Sequence, residues 1–148
     1  MPDAAMQFLM PCKPEQATRE VRLQVGGQEV PTTLRLQGCE ASGLQFTFGQ
    51  MTLPGAMTAS EAVSAWHLAS LATLDAAPNE VSTQVWQTKA VPLVPAPERT
   101  RVMTHKHQVQ WVWLTDAHHI YQAGVYGKPN DKGLPEAADT FFSGIQMP

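Results

Sequence analysis

The sequence predicts an α+β fold, an antiparallel β-sheet of about six or seven strands flanked by two helices. Three observations carry that expectation. Several short runs alternate apolar with polar residues, the period of two that marks a half-buried strand. Tight turn signals separate neighbouring runs, and short turns of this kind join antiparallel strands, whereas parallel strands need long crossovers. Two further stretches repeat apolar residues at every third or fourth position, as a helix packed on a sheet requires. At 148 residues the chain has the length of one domain, and a chain of that size buries roughly two-thirds of its unfolded surface. Residues 1–148 are therefore read as a single domain around one core.

Taken in order, Phe8 to Met10 is a short apolar run stopped by Pro11-Cys12-Lys13-Pro14. Two prolines this close demand extended or turning backbone, so the run reads as an edge strand entering a loop. From Thr18 to Val25, Val21, Leu23 and Val25 alternate with Arg22 and Gln24, Gly26-Gly27 supplies a tight turn, and Val30 to Leu36 alternates again. Residues 18–37 are thus the clearest hairpin. Leu44, Phe46 and Phe48 continue the pattern as the third strand of a meander. Pro54-Gly55 breaks it, and Thr58 with Glu61 three residues on forms a capping box. A helix is expected over 59–75, with Val63, Trp66, Ser70 and Leu74 on one stripe and Pro78 closing it.

Val81 to Trp86 reads as a strand, and Pro92, Pro95 and Pro97 mark an irregular connection. Arg99 to His107, Gln108 to Thr115 and Ile120 to Tyr126 read as three more strands, the middle one carrying Val109, Trp111 and Trp113 on one face. Asp116-Ala117-His118-His119 turns between the last two. Leu134 to Gly144 reads as a short helix offering Ala137, Ala138, Phe141 and Phe142 to the core.

Charge bounds the partners. Ten Lys and Arg against thirteen Asp and Glu give a net charge of −3, and no basic run appears, so the concentrated positive face of a nucleic-acid binder is missing. Charged residues make up 16% of the chain, below the roughly 25% of an average domain. No apolar stretch approaches the ~20 residues that span a bilayer. The start, Met1-Pro2-Asp3-Ala4-Ala5, lacks the basic and apolar segments of a secretory signal. That fits a cytoplasmic protein, or an exported one whose leader has been removed.

The residues able to carry chemistry are few. Cys12 and Cys39 each sit in a loop at the end of a predicted strand, and the hairpin between them can bring strand ends together, so a disulfide is geometrically reasonable. Two free thiols are the alternative. His105 and His107, two apart on a predicted strand, share a face and have a spacing that can chelate a metal. His118 and His119 would sit at the other end of the 108–115 strand, however, so the pairs do not meet, and solvent-facing histidines are the plainer reading. His67 has no carboxylate or nucleophile near it in sequence. Ser64 and Ser70 lie on the same predicted helix, away from the strained turn of a hydrolase serine. Phosphate loops and dinucleotide turns are absent, and no cofactor is expected. Trp66, His67, Trp111 and Trp113 are the place to look for a ligand or partner surface if any is exposed, while core packing is the plainer role for the tryptophans.

The order of these features resembles a known group. MQFLMPCKPEQATREV is similar to the opening of small bacterial domains with a Mog1/PsbP-like fold, with Cys12 where Gly often stands. HHIYQAGVYG resembles that group's late strand, and AADTFFSGIQ its final helix and short terminal strand. The resemblance spans about residues 6–147. It implies an antiparallel sheet flanked by helices in proteins that act mostly by binding other macromolecules, without shared catalytic residues. The Cys-Lys-Pro and Gly-Cys-Glu motifs resemble a bacterial envelope branch, which implies paired cysteines and a periplasmic or lipid-anchored origin.

The function expected first is therefore that of a non-enzymatic envelope protein that binds a macromolecular partner or aids an assembly. A small-molecule or metal-binding domain using His105 and His107 or Trp111 and Trp113 is the alternative. An enzyme with a site built from distant loops is the third.

Overall fold

Two antiparallel meanders lie side by side in one seven-stranded sheet, of order β1-β2-β3-β7-β6-β5-β4. The computed structural model describes residues 10–25, 27–55, 57–85 and 97–145. The expected strand at Phe8 and Leu9, Gly26 of the first turn, Trp86, Pro92, Pro95 and the short terminal strand lie outside those residues. The first meander is β1 (Glu15–Val25), β2 (Gln28–Ala41) and β3 (Leu44–Thr52). Gly27 has φ 81° in the first turn. Ser42 and Gly43 are both left-handed in the second, at φ 54° and 79°, as the mirror-image turns favoured by twisted hairpins require.

Helix α1 (Ala59–Leu74) then crosses one face of the sheet to the far edge. The Glu61 N–H donates to Thr58 Oγ1 at 3.1 Å and the Thr58 N–H to Glu61 Oε1 at 2.9 Å, so the expected capping box forms. The helix closes earlier than Pro78. Asp75 turns left-handed at φ 52° and its N–H reaches back to the last carbonyls, which ends the helix without proline. Pro78 instead opens a single 3₁₀ turn, Pro78–Glu80.

The second meander is β4 (Val81–Val85), β5 (Glu98–Met103), β6 (Gln108–Thr115) and β7 (His119–Gly127), followed by helix α2 (Leu134–Ser143). The strand expected to reach His107 stops at Met103. Thr104 Oγ1 accepts the N–H groups of Lys106 and His107 at 3.2 and 2.9 Å, and this hydroxyl turn competes with the ladder.

The two helices cover opposite faces. Under α1 lie Leu23, Met51, Val102, Val109, Trp111, Trp113 and Ile120 with Trp66 of the helix. Under α2 lie Phe46, Phe48, Val112, Leu114, Tyr121, Ala123 and Val125 with Leu134, Ala138, Phe141 and Phe142. Strands β6 and β7 are consequently buried on both faces, and their polar residues must find partners inside. Gln108 Nε2 donates to the carbonyls of Lys128 and Asp131 at 3.1 and 2.8 Å, and Gln122 Nε2 to Ser70 Oγ at 3.0 Å. Gln110 accepts from Arg99 Nε at 2.9 Å. The Arg99 guanidinium also sits 5.1 Å over the Phe142 ring and 2.6 Å from Asp139, fastening α2 to β5.

Close packing needs glycine at Gly124. A Cβ there would stand 2.9 Å from both Trp111 Cδ1 and Thr47 Oγ1, a clash for which the buried indole has no free space. Gly124→Ala should therefore destabilise the protein by roughly 1–3 kcal/mol, the usual cost of overpacking a core, and change the near-ultraviolet tryptophan signal. Urea denaturation checks this; an unchanged midpoint would contradict the packing described.

Cys12 and Cys39 are bonded, with Cα atoms 5.9 Å apart. Cys39 lies within β2, paired with Phe46, rather than in a loop as the sequence suggested, because β2 runs on to Ala41. The bridge clips the segment before β1 to the sheet and seats Met10 against the α2-side core. Oxidised, denatured protein should show no free thiol, rising to two on reduction. On a chain-entropy estimate the Cys12→Ser/Cys39→Ser protein should lose roughly 3–4 kcal/mol.

Candidate functional site

Three places combine polar groups or apolar surface in ways that bear on function, and the tryptophans belong to the first. Trp66, Trp111 and Trp113 are 6%, 1% and 2% exposed, so they form no surface for a ligand or partner. The reason is the covering of the β6 face by α1. Trp66 meets Trp113 edge-on at 5.5 Å, Trp111 and Trp113 lie 5.7 Å apart, and Trp111 Nε1 donates to Tyr126 Oη at 2.8 Å.

His67, on α1, is half-buried beside them, its ring 5.1 Å from Trp113 and 6.2 Å from Trp111. Its Nε2 lies 3.4 Å from Thr100 Oγ1, which also accepts from Trp113 Nε1 at 3.3 Å and lies 3.2 Å from Thr83 Oγ1. Burial lowers the His67 pKa, with Glu98 opposing it through its charge. The arrangement superficially resembles an activated hydroxyl. Thr100 is wholly buried, however, and a nucleophile has to reach its substrate. The cluster is a polar node that satisfies groups between helix and sheet.

The other histidines do not converge. His105 and His107 are exposed in the β5–β6 turn and so do not share a strand face, the chelating spacing having rested on a strand that ends at Met103. The β6–β7 register pairs Gln108 with Gly127 and Thr115 with Ile120. His118 and His119 therefore stand at the opposite end of β6, a strand length of roughly 25 Å away. Among the described residues no group of three or more His, Cys, Asp or Glu side chains could hold a metal ion.

Asp116 organises that second turn. Its Oδ1 accepts the N–H groups of His118 and His119, each at 2.8 Å, and its Oδ2 accepts from Tyr121 Oη. Burial acts to raise the Asp116 pKa, but the hydrogen bonds from Tyr121 and from the two N–H groups outweigh it and hold the carboxyl below its ordinary value. Burial, then the Asp116 contact, pushes the Tyr121 phenol far up. Beside the turn, Thr33, Arg35, Gln50, Thr52 and His119 line an open polar groove of about 530 Å³.

The third place is an apolar groove of about 520 Å³ alongside α2. Gly133, Ala137, Thr140, Phe141 and Gly144 form one wall at helical spacing, Phe46 of β3 contributes from the sheet, and Met10 with Pro11 forms the other wall. That second wall is held in place by the neighbouring Cys12–Cys39 bridge. Among the described lining residues Glu136 is the one that carries a charge. None of these groove residues stands out in the sequence as a site, apart from the helix periodicity of Ala137 and Phe141, because they come from three separate segments. Compared with protein-family models, with curated proteins and with solved structures, the chain has no match.

The burial of His67 has a pH consequence. Unfolded, the imidazole takes up a proton near its ordinary value of about 6.5; folded, it does so at lower pH. Its contribution to stability is therefore complete above that value and is lost as pH falls towards the folded pKa. Subtracting the pH–stability curve of His67→Gln from that of the unaltered protein should isolate this acid-side loss. Nuclear magnetic resonance titration should also place the His67 midpoint below the ordinary imidazole value of about 6.5.

Proposed function

We propose that this chain is a non-enzymatic binding protein of a bacterial envelope and that the groove beside α2 receives a short apolar segment of a partner protein. The observation that carries the reading is the groove itself, a surface concavity with apolar walls built on a rigid helix, a central strand and a disulfide-anchored segment. Apolar surface of this kind, rimmed by polar side chains, is where proteins commonly dock. Glu136 at the rim favours a partner segment that carries a basic residue next to its apolar anchors.

Compartment and mode of action follow by argument. Disulfides persist in oxidising compartments and are rare in the reducing cytosol, so the Cys12–Cys39 bridge supports a periplasmic or envelope location. Among the described residues no helix is long and apolar enough to cross a membrane. The sequence resemblance to the Mog1/PsbP-like group supports action through macromolecular binding. The groove volume also lies within the range of small-molecule pockets, which keeps an apolar small ligand as the second reading.

A photo-cross-linking residue at Thr140, exposed on the groove wall, should give a discrete protein adduct in its own envelope fraction. Ala137→Arg, which fills the groove with charge, should abolish the adduct. The same probe at Thr73, exposed on α1, should give none. Equal adducts at both positions, or none at either, would sink the reading, and a thermal shift with apolar small molecules in the absence of adducts would favour the small ligand.

A further inference from the structure

We propose that β1 is the interface of a two-fold dimer, in which it pairs antiparallel with β1 of a second copy in a register centred on Val21. Among the described residues β1 is an edge strand of 11 residues, with β2 as its neighbour on one side. Long edges present unpaired N–H and C=O groups and are templates for another strand.

The backbone fixes which groups are available. Val25 pairs with Gln28 across the two-residue turn, and a pair closing so short a turn must exchange its hydrogen bonds directly. Counting back in twos, the odd residues of β1 bond to β2. The N–H and C=O groups of Thr18, Glu20, Arg22 and Gln24 therefore point outward.

Symmetry and charge then select the register. In a continuous antiparallel sheet the two-fold axis is normal to the sheet, and directly opposed residues point to the same face. Each residue can thus face only one of its own parity, so every allowed register centres on a residue and its own copy. Centring on Arg19, Glu20 or Arg22 sets two like charges directly opposite one another, which destabilises a sheet. Centring on Val21 sets Glu20 opposite Arg22 of the second copy, twice by symmetry, with Arg19 opposite Leu23 and Thr18 opposite Gln24. Centring on Thr18 avoids like pairs but gains no opposite ones.

Glu20 and Arg22 are exposed on the same face of β1, and the Arg22 side chain is 73% exposed, reaching Glu29 at 3.4 Å. Surface charges on an edge ordinarily resist pairing. Here they disfavour the registers centred on Arg19, Glu20 and Arg22, and of those centred between Thr18 and Leu23 the Val21 register alone gains opposite-charge pairs. The Val21-centred ladder exchanges about eight backbone hydrogen bonds through the four outward-facing residues of each strand.

The test is sedimentation equilibrium of the full chain over a range of protein and salt concentrations. A dimer is expected, weakening as salt rises. Glu20→Arg and Arg22→Glu should each raise the dimer Kd at least tenfold, and the charge swap carrying both should bring it back towards the original value. Glu20→Pro removes an outward N–H and no bond to β2, so it should give a monomer with an unchanged far-ultraviolet circular dichroism spectrum. A monomer at every concentration overturns the proposal. So does a dimer unmoved by either single substitution, one that the double swap does not restore, or one that survives in folded Glu20→Pro. Cross-linking at the groove is unaffected by these changes, so the dimer and the docking reading fail separately.

Discussion

The pairing of β3 with β7 is the contact on which the rest of the molecule depends. It runs from Gln45 opposite Tyr126 to Thr52 opposite His119 and joins two meanders that are otherwise each held by local hairpins. The residues it unites are far apart in sequence, so its loop-closure entropy must be repaid by burial on both faces of the seam. Both helices supply that burial. Trp66 of α1 packs where a Cβ on Gly49 of β3 would come within 3.2 Å of it, and it also meets Trp113 of β6. On the other face Phe141 of α2 stands edge-on to Phe46 of β3 at 5.5 Å. Gly49, Ala123 and Gly124 are small because large rings occupy the layers above and below them.

A sheet closed over on both faces at its centre leaves its middle strands no solvent-facing side. Trp111, Trp113 and Tyr121, the most chemically versatile side chains of β6 and β7, are therefore committed to the scaffold. His67 and Thr100 are drawn into the same interior. Among the described residues the accessible features at the margins include the groove beside α2, the polar groove by His119 and the outer edge of β1. The disulfide belongs to this periphery as well, since it fixes the segment that walls the apolar groove rather than tying core to core.

Local features were legible in the sequence and non-local ones were not. The alternation of Val21, Leu23, Leu34 and Leu36 and the Thr58–Glu61 box need only neighbouring residues to form, and they form as read. The strand around His105 was misread because Thr104 has two ways to satisfy nearby backbone, and the turn prevails over the ladder. The end of α1 was read at residue 75 and falls there within one residue, but Asp75, by turning left-handed, closes the helix rather than the visible breaker Pro78. The shared face of Trp111 and Trp113 could be counted from their spacing. Their burial could not, since it depends on where α1 lands after crossing the sheet. The groove was the least legible of all, for Met10, Phe46 and Ala137 meet only once the β3–β7 seam and the Cys12–Cys39 bridge have both formed.

The two marginal surfaces are compatible with one another. The groove is walled by residues that precede β1, whereas pairing centred on Val21 engages residues 17–25, the part of β1 nearest the hairpin turn. Glu15, where β1 begins, is six residues or roughly 20 Å of strand from the axis, and Met10 and Pro11 lie beyond it, beside Phe46. A dimer built on β1 would therefore place its two grooves well apart, on either side of the axis, with neither covered by the other copy. Such an arrangement can engage two segments of one partner or two copies of it. The second engagement would then be intramolecular, and its strength would be set by the spacing of the grooves as much as by the affinity of each. Binding of the proposed kind at a shallow groove would gain most from that geometry, because modest single-site affinity becomes selective when two sites must be matched at a fixed separation.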